Sequence, residues 1–356
     1  MSWSSRRWSG TSRRSRLQFD HLHPLSAQPN DGCSAERVAR PLACPRGRVE
    51  PLRVPPMQLP AFVDLRPIGR CNLSCPFCFG PRHEVPSMSW DTARNVVGVL
   101  RDGGVQGVVI SGGEPTLLPY LPDLVGALRK PFDDGRPAPR VVLSTNGLAP
   151  QKAMNRVLPH LSWIALPLES ADRAEHGLLR TGSRAPHRDR VLSLLGEVRK
   201  NHGHVRVKLG TVVTRLNAKG APKVLDLIEE KSLPDVWKVY QMSETNYGAD
   251  NRDWLSLGDE EFEDVVRECE EAARQHGVPL RVYRNSTRTG SYFFVDPDCE
   301  IVVVDAGEER RIGNLFEKLA DDTIRPAELI TPARNVENFA GTYPDPAPQP
   351  GDRPDL

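Results

Sequence analysis

The chain has 356 residues, enough for one large α/β domain or two small ones, with a sizeable core in either case. Its formal charge of +1 argues against an electrostatic surface for DNA, and its hydrophobic residues, 38% of the total, nowhere form a run long enough to cross a bilayer. Seven cysteines in a chain this size do not make a secreted disulfide framework, which points to a reducing compartment, most simply a cytoplasm.

Residues 1–56 are rich in Ser, Arg and Pro and lack hydrophobic periodicity, so they bury too little apolar area to offset ordering entropy and are expected to be disordered. The first nineteen residues carry five arginines and no acid, the composition of an organelle transit segment; Met57 is equally suited to be the translation start. A strand is expected over 61–68. Cys71, Cys75 and Cys78 follow it in Cys71-Asn72-Leu73-Ser74-Cys75-Pro76-Phe77-Cys78-Phe79. Three thiolates on one short loop suit three corners of a cuboidal iron-sulfur cluster, whose fourth iron then lacks a protein ligand and is open to a small molecule. The same cysteines with His83 also spell a chemically sound zinc site.

From Pro60 onward strands and helices alternate. The helix expected over 90–101 carries Ala93, Val96, Val97 and Leu100 at helical spacing, with Ser89 as N-cap. The strand over 105–111 runs into Gly112-Gly113-Glu114-Pro115, where glycines permit close backbone approach and Glu114 is suited to accept from an ammonium. A helix over 120–128 follows. The strand over 140–143 leads into Ser144-Thr145-Asn146-Gly147, and a helix over 151–160 leads to a fourth strand, 162–169, ending at Glu169. Then come a helix over 187–200, a strand over 205–213, a helix over 221–230, a strand over 235–242 and a helix over 259–276. Cys269 shares a helical stripe with Phe262, Val265, Val266 and Ala273 and reads as core.

Six such repeats with right-handed crossovers predict an α/β fold: a partial (β/α)6 TIM-type barrel over 57–278, its functional loops gathered at the strand C-terminal ends. Residues 279–340, including 279–283 and a hairpin over 292–305 turning at Pro297-Asp298, form a short C-terminal segment expected to cover the open face. Residues 341–356, rich in Pro and Asp, are expected to be disordered.

The three cysteines, the Gly-Gly-Glu-Pro turn and the Ser-Thr-Asn-Gly loop, each after a strand and in this order, resemble the motifs of the radical S-adenosylmethionine (SAM) enzymes. The resemblance implies a [4Fe-4S] cluster on Cys71, Cys75 and Cys78 and SAM bound at the open iron. It implies reductive cleavage of SAM to a 5′-deoxyadenosyl radical, with an electron donor such as flavodoxin or ferredoxin. It further implies SAM contacts from Gly112, Gly113 and Glu114, from Ser144 and Asn146, from Glu169 to the ribose, and from Arg180 to the methionine carboxylate. The remaining cysteines, Cys33, Cys44, Cys269 and Cys299, are too scattered for an auxiliary cluster.

A narrower likeness spans residues 61–300. Residues 207–217, Trp237-Lys238-Val239-Tyr240-Gln241, 258–262 and Ser291-Tyr292-Phe293-Phe294-Val295-Asp296 are similar, in order, to the viperin-like branch, the radical SAM nucleotide dehydratases. That likeness implies a nucleotide or related small anionic substrate, hydrogen abstraction at C4′ and loss of the 3′-hydroxyl as water. It places Lys208 and Lys238 at phosphates and Tyr292 beside the sugar as a proton or hydrogen relay. A lysine within a strand itself suggests an anionic partner. The departures are Asp64 and Gly210 at asparagine positions of that branch, Gly107 and Val236 at basic positions around its triphosphate, and Pro167 at a serine position. Lost pairing and one added negative charge lead to the expectation of a substrate with fewer phosphates, or none. The competing readings are a radical SAM enzyme of natural-product or ribosomal-peptide modification and a non-catalytic zinc or iron-sulfur protein.

Overall fold

The computed structural model describes residues 59–82, 84–183, 185–305, 308–321, 330–332, 334–336 and 339. The stretches 1–56 and 341–356, and His83, lie outside the described residues. In chain order the elements are β1 (Phe62–Leu65), α1 (Trp90–Asp102), β2 (Gly107–Ile110), α2 (Leu121–Arg129), β3 (Arg140–Ser144), α3 (Gln151–Met154), β4 (Trp163–Pro167), α4 (Arg173–Leu179), α5 (His187–Asn201) and β5 (Arg206–Val213). They continue with β6 (Val236–Gln241), α6 (Tyr247–Asp250), α7 (Arg252–Leu255), α8 (Asp259–His276), β7 (Leu280–Tyr283), β8 (Phe293–Val295), β9 (Glu300–Asp305), β10 (Glu308–Asn314) and α9 (Leu315–Ala320).

The strands form one open sheet in the order β10-β9-β8-β1-β2-β3-β4-β5-β6-β7, in which β8 and β1 to β7 run parallel and β9 pairs antiparallel with both β8 and β10. This is the expected partial barrel, extended at both edges. Residues 280–283 add β7 beside β6, with Trp237 opposite Leu280, and the hairpin continues the sheet past β1, with Asp64 opposite Phe294. Exposed backbone donors and acceptors on β1 and β6 are satisfied this way, which a six-stranded sheet would leave as raw edges.

Alternation along the parallel strands sorts side chains into two sets. Val63, Leu65, Val108, Ile110, Leu143, Ile164, Leu166, Val207, Leu209, Trp237 and Val239 face the helices in one continuous apolar core. Helix α1 meets it with Ala93, Val96, Val97 and Leu100, and the Ser89 hydroxyl caps the helix by accepting from Thr92 N. Helix α8 presents Phe262, Val265, Val266, Cys269 and Ala273 and ends at Gly277 in the left-handed region, φ 65°. The alternate set faces the barrel interior. At the strand starts it is apolar, with Phe62, Val109, Val142, Trp163, Ala165 and Val236 packed together. Toward the strand ends it becomes polar and charged.

Two expected helices are shorter. The stretch 151–160 is helical only over α3, then forms a 3-10 turn at Leu158–His160, because Pro159 lacks an N–H and crowds the preceding turn. The stretch 221–230 is a 3-10 helix over Ala221–Leu227, with Pro222 in its first turn. Among the described residues no helix is long and apolar enough to cross a membrane.

Candidate active site

The loops following β1, β2, β3 and β4 meet at one end of the sheet because their backbones bond directly. Gly113 N donates to Ile68 O (2.7 Å) and Glu114 N to Arg70 O (3.0 Å), clamping the glycine turn onto the segment entering the cysteine loop. Only glycine fits there. A Cβ on Gly113 would lie 2.2 Å from the carbonyl oxygens of Gly69 and Arg70, and one on Gly112, at φ 106°, 2.3 Å from Ile68 O. From the β4 side, Thr181 O accepts from Ser74 N at 2.9 Å. From the β3 side, Asn146 Nδ2 donates to Asn72 Oδ1 at 2.7 Å and reaches Cys71 Sγ at 3.8 Å.

Each cysteine sulfur faces at least one N–H donor. Leu73 N lies 3.4 Å from Cys71 Sγ, Gly80 N 3.3 Å from Cys78 Sγ, and Arg180 Nη1 3.6 Å from Cys75 Sγ. Burial pushes all three thiols up, Cys75 to about 12 even with Arg180 beside it, so a positive centre is needed before they become thiolates together. Among the described residues no group of three or more His, Cys, Asp or Glu side chains is arranged to hold a metal ion. N–H donors trained on separate sulfurs are the surroundings an iron-sulfur cluster takes. The residues fit the group.

Beside the cysteines lies a cavity of about 230 Å³ lined by Gly112, Gly113, Ser144, Asn146, Glu169 and Arg180 together with Cys71, Cys75 and Cys78. Every expected cofactor contact borders it except Glu114. That residue is buried behind the wall, where one carboxylate oxygen accepts from Thr116 N (3.0 Å), Thr116 Oγ1 (2.5 Å) and Thr145 Oγ1 (2.7 Å), and the other from Asn146 N (2.7 Å). It binds the β2 and β3 loops to each other. Glu169, also buried, is held by the Arg180 guanidinium through Nε at 3.0 Å and through Nη2, while its second oxygen accepts from Val212 N at 2.6 Å. Burial alone would pull Arg180 down, yet Glu169 and then Cys75 hold it above the ordinary arginine range.

A second cavity of about 310 Å³ shares Cys75, Cys78, Gly112, Ser144, Arg180 and Lys208 with the first and continues into the barrel. Lys208, Lys238 and Tyr292, all expected near substrate, line it. Lys208 Nζ donates to Tyr240 Oη at 2.9 Å, and the Lys238 ammonium lies 3.4 Å from the Tyr283 ring centroid. Burial pushes the Lys238 ammonium well down, reinforced by Lys208 and opposed by Asp64. Asp64 moves the other way: burial raises its carboxyl to about 6 against the pull of Arg66 and the two lysines.

Sequence reading did not identify Arg66, Phe79, Tyr240, Arg288 and Phe294 as part of this wall. Tyr240 stands two residues past Lys238 on β6, so the alternation rule was enough to find it. Arg66 carried no local signal, since it is defined by partners far along the chain: Glu309 at 2.8 Å, Asp296 at 3.3 Å and the Phe294 ring at 3.4 Å.

Residues 65–228 match the family model described as Radical SAM superfamily. An S-adenosylmethionine-dependent nucleotide dehydratase of Flammeovirga pacifica is 27% identical over 237 residues, 64% of this chain and 77% of that protein. A second protein of that name, from Thermoplasmatales archaeon (strain ISO4-H5), is 27% identical over 249 residues, 68% of this chain and 82% of its own length. Among solved structures, Streptococcus suis SuiB bound to precursor peptide SuiA aligns with a TM-score of 0.59 at 19% identity, covering 75% of this chain. The chain spans 65% of SuiB, just under two thirds. The fold likeness extends to anSMEcpe with bound AdoMet, TM-score 0.55 at 19% identity over 76% of this chain and 82% of that one. Residues 65–228 are thus a radical SAM domain.

Proposed function

We propose that this radical SAM enzyme acts on a nucleotide or a related small anion, removing water from its sugar after hydrogen abstraction at C4′. The observation that carries the reading is the continuity of the two cavities: Cys75, Cys78, Arg180 and Lys208 line both, and Lys238 lines the larger one. The names of the nucleotide dehydratase relatives support the same class.

When bound, a [4Fe-4S] cluster and SAM supply an adenosyl radical to the neighbouring cavity. Cys71, Cys75 and Cys78 would hold the cluster, and Gly112, Gly113, Ser144, Asn146, Glu169 and Arg180 would hold SAM. Glu114 keeps two of those loops in register through its four accepted hydrogen bonds. Lys208 and Lys238 draw an anionic group into the barrel, which leaves the substrate's sugar on the cysteine side. Tyr292 lies between Phe79, beside the last cysteine, and Tyr283, with ring centroids 6.4 and 6.3 Å away, and is placed to hand over a proton or hydrogen atom. Two electrons, one for cleavage of SAM and one taken up as the 3′-hydroxyl of the sugar radical leaves with a proton as water, come from a partner such as flavodoxin or ferredoxin, consistent with a cytoplasmic setting.

The test is anaerobic reconstitution with iron and sulfide, then incubation with SAM, reductant and a panel of nucleotides. The expected result is 5′-deoxyadenosine formed in step with a product 18 mass units lighter than one nucleotide. SAM turnover with every nucleotide left intact would refute the nucleotide assignment.

A further inference from the structure

The peptide unit joining Phe79 to Gly80 meets the last cysteine of the loop at one end and the connection after β6 at the other. Its N–H, on Gly80, lies 3.3 Å from Cys78 Sγ, and its carbonyl oxygen, on Phe79, accepts from Asn246 Nδ2 at 3.1 Å. A peptide unit is planar, so a bond that fixes the oxygen also fixes where the N–H points. Gly80 is wedged in place: a Cβ there would stand 2.9 Å from Gly112 O and 3.4 Å from Cys78 Sγ. Asn246 Nδ2 also donates to Glu309 Oε2 at 3.1 Å, and Glu309 Oε1 is ion-paired with Arg66 at 2.8 Å. Both partners of the amide are acceptors, so its NH2 end faces the cysteine loop.

Asn246 holds this position at a conformational cost. Gly248 N donates to Thr245 O at 2.9 Å, closing a turn in which Asn246 has φ 49° and ψ −120°. These are the angles of the first central position of a type II′ turn, where glycine is the usual residue because it has no Cβ to crowd. The turn is pressed against the cysteine loop, since a Cβ on Gly248 would lie 2.1 Å from Ser243 O and 3.8 Å from Phe77 O. Arg82 grips it from the other side, donating through Nη2 to Asn246 O at 3.2 Å and through Nη1 to Asp250 Oδ2 at 2.6 Å. Local geometry favours glycine at 246. What an asparagine adds there is its side chain's hold on Phe79 O and Glu309, and a backbone outlier kept beside a reactive loop points to a role in that loop.

N–H donors aimed at cluster sulfurs stabilise the reduced form, which carries one more negative charge, and so raise its potential. A carbonyl that accepts a hydrogen bond polarises the N–H of its own peptide, which strengthens the contact at Cys78 Sγ. We propose that Asn246 is a positioning residue that sets the reduction potential of the cluster, by holding the Phe79–Gly80 peptide with its N–H on Cys78 Sγ. Electrons still come from the partner donor; Asn246 neither carries them nor moves a proton. The role holds whichever substrate the barrel takes.

The test is a redox titration, followed by electron paramagnetic resonance, of the anaerobically reconstituted full-length protein and its Asn246→Gly variant, without SAM or nucleotide. Glycine suits the turn and removes only the side chain. The variant is expected to be at least threefold harder to reduce, a fall of about 28 mV at 59 mV per tenfold, while the urea midpoint of the cluster-free protein stays the same or rises. An unchanged or raised potential, or a fall that comes only with a lower urea midpoint, overturns the proposal. If Asn246→Gly takes up no cluster, hydrogen exchange at the Gly80 amide of the cluster-free proteins decides: exchange at least tenfold faster in the variant supports the hold on this peptide, and equal exchange overturns it. Failure of the nucleotide reading looks different, with every nucleotide left intact while the shift in potential persists.

Discussion

Lowering the pH from 7 to 5 should loosen the fold around the SAM side of the site through two buried histidines that cannot take up protons. His176 on α4 and His187 at the start of α5 are 2% and 4% exposed, and His176 Nε2 lies 2.8 Å from His187 Nδ1. Glu169 N donates to His176 Nδ1 at 3.3 Å, so His176 carries its proton on Nε2 and donates it to His187 Nδ1. The acceptor nitrogen of each ring is therefore occupied. Burial is the main force lowering both pKa values to about 3, helped by the neighbouring ring and Arg180 for His176 and by Arg180 for His187. Both rings are neutral in the fold, while in the unfolded chain they protonate below about 6.5. The stabilisation is complete above that value and is lost progressively as pH falls toward 3. At pH 5 each withheld proton costs about 2 kcal/mol. The pair then removes ~4 kcal/mol from a total of about 5–15 kcal/mol for a domain. Urea unfolding at pH 7 and pH 5, for the native protein and His176→Gln/His187→Gln, reads this directly. The native protein should lose several kcal/mol more than the double variant between the two pH values. Equal losses would refute the argument and mean that the rings protonate in place.

The remaining predictions concern the loops and the cavity. Gly113→Ala forces a Cβ into the Gly69 and Arg70 carbonyls, so reconstituted iron content should fall sharply while far-UV circular dichroism is kept; a full iron load would refute the clamp. Arg180→Met leaves the Glu169 carboxylate buried without its cation, costing about 3–5 kcal/mol, measured as a lower urea midpoint, with Arg180→Lys recovering part of it. Lys238→Met removes an ammonium whose burial is costly, so the fold should be as stable or more so while nucleotide consumption drops at least a hundredfold. Cys78→Ala, or stripping the metal with chelator under oxidation, should abolish iron, sulfide and SAM cleavage together; retained cleavage would remove the cluster from the site.

The cysteine spacing, the Gly-Gly-Glu-Pro turn and the Ser-Thr-Asn-Gly loop were legible in the sequence because each is a local pattern. A strand followed by closely spaced soft ligands or paired glycines constrains only its own few residues and the backbone beside them. The same holds for Lys208 and Lys238, since period-two alternation puts them on the face opposite Leu209 and Trp237 whatever lies across the sheet. Fold class followed from repeated strands and helices with right-handed crossovers.

What the sequence withheld depends on which distant segments become neighbours. Glu114 is a carboxylate in a motif until folding brings Thr145 and Asn146 against it. Arg66 is an unremarked cation until the hairpin extends the sheet past β1 and delivers Asp296 and Glu309. Gly107 shows only an absent side chain; the structure supplies what occupies that space, two rings from Phe62 and Phe339. Strand order and register decide such contacts, and both are set by the energy of the whole packed sheet, to which no single segment's pattern refers.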